Sequence, residues 1–171
     1  CIQWSPIVEC NQACMFCWRV HRIDIGVPPF RILDEDKIDW DDPEEIFKAV
    51  LDEYFKTLKA YDPEYNKAVD KEMWNDAMKG PDHLATSLIG EPLMYPKIDD
   101  LMYLGKKHGM TTFIVTNGTF PKTLEKMHTL PHQLYISVVG PDYKTWVKMT
   151  RPLWDAREQW RNLLRTLELV P

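Results

Sequence analysis

Leu84-Ala85-Thr86-Ser87-Leu88-Ile89-Gly90-Glu91-Pro92 is followed by Ile98 to His108 and then by Thr111-Thr112-Phe113-Ile114-Val115-Thr116-Asn117-Gly118. The outer two pieces open on short apolar or β-branched runs, which read as buried strands, and the middle one reads as a helix stopped at Gly109. Strand, helix and strand in succession predict parallel strands joined by helical crossovers. The rhythm continues outward, with Pro121 to His128 as a helix and Leu134 to Val139 as a strand. Asp155 to Leu169 is then a helix with Trp160, Leu163, Leu164 and Leu167 on one face. In the other direction, Ile2, Trp4, Ile7 and Val8 read as a first strand running into a loop. The expected fold class is α/β with about four parallel strands, too few for a closed eight-stranded barrel.

Between the first and second strands the pattern is helical. His21 to Asp39 is irregular, with Pro28-Pro29 as a breaker pair. Asp42-Pro43-Glu44-Glu45 supplies an N-cap, a proline at the first helical position and a glutamate at the third. Phe47, Val50, Leu51, Tyr54 and Leu58 follow at helical spacing. Asp62-Pro63-Glu64 repeats the start signal, and Gly80-Pro81 closes that second helix. Residues 40–80 are thus expected as a helical insertion in a single domain spanning 1–171. Cys1 without a preceding methionine, and Leu169-Val170-Pro171 directly after a helical pattern, read as cuts at both ends.

The 171 residues are 44% hydrophobic and 12% aromatic, enough for one core and too little for two ordinary domains. With 21 basic against 26 acidic side chains the net charge is -5, so bulk charge does not point to nucleic acid. A local basic surface remains compatible with it. No run approaches the roughly 20 apolar residues that span a bilayer, and no secretory leader is visible, so a cytoplasmic location is expected.

All four cysteines lie in the first seventeen residues, a poor distribution for stapling a domain and a better one for binding metal. Cys10-Asn11-Gln12-Ala13-Cys14-Met15-Phe16-Cys17 has the form C-x3-C-x2-C. Three thiolates hold three irons of a [4Fe–4S] cubane and leave the fourth open to a chelating small molecule. The alternatives are zinc, which usually takes two C-x2-C pairs, or a fully ligated electron-transfer centre with Cys1 as fourth ligand.

C-x3-C-x-aromatic-C resembles the signature of the radical S-adenosylmethionine (radical SAM) enzymes, with Phe16 at the position that packs near the cofactor's adenine in that family. The resemblance implies an incomplete TIM-like (βα) barrel and implies S-adenosylmethionine as cofactor. Trp18 and Arg19 continue the match toward the tRNA 4-demethylwyosine synthase branch. Gly90-Glu91-Pro92 is similar to the family segment that binds the methionine amine, although Ile89 stands where the general form has its first glycine. Physically, Gly90 permits close backbone approach and Glu91 can accept from an ammonium. Asn117, after the next strand, and Ser137, in Gln133-Leu134-Tyr135-Ile136-Ser137, become further cofactor-side candidates. Thr150-Arg151-Pro152-Leu153 also resembles the branch, with no role for Arg151 derivable from sequence.

In that branch a 5′-deoxyadenosyl radical starts from the methyl group of N1-methylguanosine in tRNA-Phe, and two carbons of pyruvate complete the third ring. The resemblance also implies a second [4Fe–4S] cluster, for which Cys1 is a candidate ligand, and an external electron donor such as a flavodoxin-like protein. Trp18, Arg19, Arg22 and Arg31 around the cysteine loop, with Phe30 interleaved, are candidate tRNA contacts. Arg157, Arg161 and Arg165 form a weaker basic stripe on the last helix. Two other readings remain open on sequence. One is another radical SAM enzyme, such as a glycyl-radical activase; the other is a non-catalytic iron–sulfur or zinc module.

Overall fold

Alternation along the third strand shows how the sheet is built. Thr112, Ile114 and Thr116 are buried while Thr111, Phe113 and Val115 are partly covered, the period of a strand with one face against a core. The computed structural model describes residues 1–29 and 38–170; Phe30 and Arg31 lie outside the described residues. Its four strands are β1 (Ile2–Trp4), β2 (His83–Thr86), β3 (Thr111–Thr116) and β4 (Gln133–Ile136). They pair in sequence order, all parallel. The register aligns Trp4, Thr86, Ile114 and Leu134 across the sheet, so the core side of each strand faces the same way.

The helices are α1 (Pro43–Lys59), α2 (Lys71–Ala77), α3 (Ile98–Lys107), α4 (Pro121–Lys126), α5 (Tyr143–Thr150) and α6 (Ala156–Leu169). Asp42 caps α1 by accepting from the Glu44 amide, with Pro43 at its first position. Ile98, Leu101, Met102 and Gly105 recur at three- and four-residue spacing and face the sheet. A Cβ on Gly105 would stand 2.7 Å from the Thr112 methyl, so the helix lies this close to the strands only with glycine there. One core joins Ile2, Trp4, Leu84 and Ile114 to Phe47 of α1, to Leu101, Met102 and Leu104 of α3, and to Leu124 of α4.

Three local expectations are corrected. Asp62-Pro63-Glu64 makes a single capped turn, because Glu64 to Ala68 are exposed and offer no face to bury. The second helix starts at Lys71 instead, with Asp70 accepting from the Met73 amide. On α6 the inward residues are Gln159, Leu163 and Thr166, whereas Leu164 and Leu167 stay exposed. That face turns inward because Thr166 donates to the Gly118 carbonyl at 2.6 Å and Gln159 meets Asn11. Helix α5, which the sequence reading does not place, is capped by Asp142 and carries the fully buried Trp146. The strands end earlier than their apolar runs: after Thr86 and after Ile136 the chain leaves the ladder and turns across the sheet's carboxyl edge.

Candidate functional site: a cysteine cavity at the carboxyl edge

In a parallel sheet every strand hands its following loop to the same edge, where ligands bind in such folds. Here the loops after β1, β2, β3 and β4 enclose a cavity of about 250 Å3. Cys10, Cys14, Cys17, Phe16, Trp18 and Arg19 line it from the first loop, and Gly90 and Glu91 from the second. Asn117 and Ser137 line it from the third and fourth. Segments far apart in sequence, each singled out by its residues, thus meet in one place. A larger cleft of about 690 Å3 lies among α3, α4 and α6 but contains none of the cysteines.

The three thiols share the cavity without being gathered round one point. Among the described residues no three His, Cys, Asp or Glu side chains could hold a single metal ion. A cubane takes one thiolate on each of three corner irons and so spaces its ligands more widely than a single ion does, and the three cysteines share one cavity. Burial pushes the Cys10 thiol up from 9.0 to about 12, helped by the Glu91 charge, and the Cys14 thiol to about 11. Thiolates held in so dry a place call for cationic iron to offset their charge. Cys1 is elsewhere. It is exposed and precedes β1, so the whole strand, about 10 Å at 3.3 Å per residue, separates it from the edge that bears Cys10. It does not line the cavity that Cys10, Cys14 and Cys17 share.

Gly90 and Glu91 have tasks within the chain. Gly90 has φ +72°, and a Cβ there would stand 2.7 Å from the Glu9 carbonyl and collide with that of Ile7. The Glu91 amide donates to the same Glu9 carbonyl at 2.9 Å. The close approach anticipated at Gly90 is therefore to the backbone that leads into Cys10. The Glu91 carboxylate, 1% exposed, accepts from the Thr116 hydroxyl at 2.6 Å, the Asn117 amide at 2.7 Å and the Leu93 amide at 3.1 Å. Two of these fall on Oε1 and one on Oε2, which leaves Oε2 with acceptor capacity toward the cavity. Burial outweighs the three donors and pushes the acid from 4.5 up to about 7.

Several functional contacts were invisible in the sequence reading. Asn11 is buried beneath the cysteine loop, donating to Thr119 Oγ1 at 2.7 Å and Gln159 Oε1 at 3.0 Å, while its own Oδ1 accepts from Asn117 at 2.7 Å. Asn117 Nδ2 also lies 3.8 Å from Cys10 Sγ. The segment Thr150-Arg151-Pro152-Leu153 closes over the loop from the other side. Ala13 donates to the Thr150 carbonyl at 3.0 Å, Met15 to that of Met149 at 2.9 Å, and Leu153 to that of Asn11 at 2.9 Å. Arg151 sits in the left-handed region, φ +44°, and its guanidinium joins the Ala13 carbonyl to the Asp24 carboxylate. A contact spanning 138 residues leaves no trace in local sequence pattern.

The aromatic and basic residues of the loop divide. Phe16 and Trp18 are exposed beside the cavity, the disposition a base-stacking surface requires. Arg19 is engaged with the Val8 carbonyl and Arg22 with Glu9 at 2.8 Å, so both brace the loop as well as charging it. On α6, Arg165 is paired with Glu125 and Glu168. No helix among the described residues is long and apolar enough to cross a membrane.

Residues 4–170 match the model of the radical SAM superfamily. The chain is 38% identical over 174 residues to the S-adenosyl-L-methionine-dependent tRNA 4-demethylwyosine synthase of Pyrococcus abyssi, covering 99% of this chain and 47% of that protein. With the enzyme of the same name from Methanocaldococcus jannaschii it shares 34% over 171 residues, 99% of this chain and 52% of that one. The chain therefore spans about half the length of these two relatives. Among solved structures it is similar to TYW1 with a lysine-pyruvate adduct bound, with a TM-score of 0.80 at 30% identity over 98% of this chain and 50% of that one. Archaeal TYW1 gives 0.72 at 27% identity over the same shares. The four parallel strands are accordingly those of a partial radical SAM barrel. With three cysteines on one cavity at the carboxyl edge and a family match over nearly its whole length, the chain belongs to the radical SAM superfamily.

Proposed function

We propose that this chain is the cluster-bearing part of a tRNA 4-demethylwyosine synthase. Its substrates are then N1-methylguanosine in tRNA-Phe and pyruvate, in a carbon–carbon lyase or synthase type of reaction. The observation that carries the reading is the set of Cys10, Cys14 and Cys17 around a cavity that Cys1 does not line, in a chain similar over 99% of its length to enzymes of that name. A [4Fe–4S] cluster bound there supplies one electron for reductive cleavage of S-adenosylmethionine.

The chain's own residues bind and orient. Cys10, Cys14 and Cys17 would hold the cluster, and the amine and carboxylate of the cofactor would supply its remaining ligands. Gly90 lets the second loop sit on the first, and Glu91 holds the third loop and offers Oε2 toward the ammonium. Asn117, Ser137 and Phe16 line the cavity, where the first two would bind the ribose or carboxylate and Phe16 would pack on the adenine. Trp18, Arg19 and Arg22 form the tRNA side, with Arg31 assigned to it from sequence. Cys1, away from the cavity, is free to serve a second [4Fe–4S] cluster whose remaining ligands come from elsewhere. The electron comes from an external donor such as a flavodoxin-like protein, in the cytoplasm. In domain terms we take 1–171 as part of one radical SAM core domain, with residues 40–80 inserted between β1 and β2.

Anaerobic reconstitution with iron and sulfide, followed by electron paramagnetic resonance of the reduced protein, tests the reading. A cubane signal that changes on adding S-adenosylmethionine is expected. Bound zinc without a cluster, or a cluster indifferent to the cofactor in the full-length protein, would overturn it.

A further inference from the structure

The side chain of Gln12 is buried at 2% exposure, an unusual place for a long amide. Its backbone is pinned by the bridge to Pro152 and by the Ala13 and Leu153 hydrogen bonds on either side, so the tip has little freedom to move away. Oε1 accepts from the Cys14 thiol at 3.5 Å, while Nε2 is buried with no partner. A buried unpaired amide donor costs about 1–3 kcal/mol, and a glutamine in a loop that packs on all sides would not be expected to keep one.

Iron on Cys14 changes the pairing. The metal takes the place of the thiol proton, which leaves to solvent, and the sulfur becomes an acceptor only. Oε1 would then face a second acceptor. Rotation of the terminal amide by half a turn exchanges oxygen and nitrogen within the same volume and points Nε2–H at Cys14 Sγ. One movement removes the acceptor–acceptor contact and gives Nε2 a partner, leaving Oε1 in the position where Nε2 had none. Asn117 already points its Nδ2 at Cys10, 3.8 Å from that sulfur, so Cys10 and Cys14 each have a side-chain amide beside them.

We infer that Gln12 is a redox-positioning residue: with iron bound, its side-chain amide donates to the Cys14 sulfur and makes the cluster easier to reduce. The inference rests on the cluster reading proposed above. Hydrogen bonds to cluster sulfurs stabilise the more negative, reduced state and raise the potential.

The test uses the full chain reconstituted anaerobically, in parent form and as Gln12→Met and Gln12→Glu. Met fills a similar volume without a donor, and Glu keeps the shape while adding an acceptor. Both variants should take up as much iron as the parent. Reduction should become about tenfold less favourable in Gln12→Met, 59 mV for a one-electron couple, and at least as much so in Gln12→Glu. Pulsed paramagnetic resonance of the reduced parent carrying 15N only in the glutamine side-chain amide, without S-adenosylmethionine, should show a nitrogen coupling that Gln12→Met lacks; the backbone amide of residue 12, which already donates to Cys10, then carries no label. A change in packing alone would not create that coupling. Equal potentials in all three proteins, or a parent cluster with no glutamine nitrogen coupled to it, would overturn the inference. If Gln12→Met fails to assemble a cluster, the labelled parent decides alone. A parent that takes up no four-iron cluster sinks the underlying reading, and iron analysis distinguishes that result from the others.

Discussion

The outer side of the sheet and its carboxyl edge are held together by opposite chemistry. On the outer side Leu84, Ile114, Leu101 and Met102 are buried with no polar atom to satisfy, and the contacts are adaptable and non-directional. At the carboxyl edge Asn11, Gln12, Glu91, Thr116, Thr119 and Gln159 are equally buried, and most of their polar atoms have a specific partner. Apolar packing sets how strongly the domain folds. The polar network sets where three sulfurs stand, because hydrogen bonds fix direction as well as distance, and it accepts a desolvation cost to do so. Stability and site are therefore separable, and substitutions can break one without the other.

The largest separation is expected at Cys14. Cys14→Ala should abolish a four-iron complement on reconstitution and every S-adenosylmethionine-dependent spectral change, while urea unfolding of the metal-free protein shifts by less than about 1 kcal/mol. Iron analysis beside a denaturation curve reads both, and a full complement in that variant would break the comparison. Leu84→Ala is the converse. It should cost about 2–5 kcal/mol by leaving a cavity under the sheet, yet the fraction that remains folded should bind iron normally.

Glu91 belongs to both regions, and its effect depends on pH. Its folded value of about 7 lies above the ordinary 4.5, so its contribution to stability is full below pH 4.5 and is lost as pH rises through 7. The metal-free protein should be more stable at pH 5 than at pH 8 by about 2–3 kcal/mol from this group. Glu91→Gln should flatten that slope in urea titrations at the two pH values. An unchanged slope would place the buried charge elsewhere. The smallest effect is expected for Cys1→Ser, which should leave both the iron bound by Cys10, Cys14 and Cys17 and the unfolding midpoint where they were. Loss of that cluster on removing Cys1 would contradict the distance between the two ends of β1.

Much of this arrangement was legible in the amino-acid order. Among the described residues, period-two and helical runs marked all four strands and five of the six helices, and Cys10, Cys14 and Cys17 with Gly90, Glu91 and Asn117 named residues from three of the cavity's four loops. Local signals failed where a partner far along the chain overrode them. Asp62-Pro63 is as good a start signal as Asp42-Pro43, but only the second is followed by residues with a core to join. On α6 apolar Leu164 and Leu167 yield the inner face to Gln159 and Thr166, because Asn11 and the Gly118 carbonyl need polar partners more than the core needs leucines.

By itself, then, the sequence determined the parallel α/β plan, the three-cysteine motif and the family resemblance, all of which depend on residue type and short-range spacing. Tertiary structure alone decided what surrounds those cysteines. It put Arg151 and Pro152 across the loop, hid Gln12 against Cys14, turned Glu91 inward and left Cys1 at the opposite edge. The longest of these contacts, Gln12 to Pro152, joins residues 140 apart, and their geometry follows from where the strands end and which buried donors need acceptors.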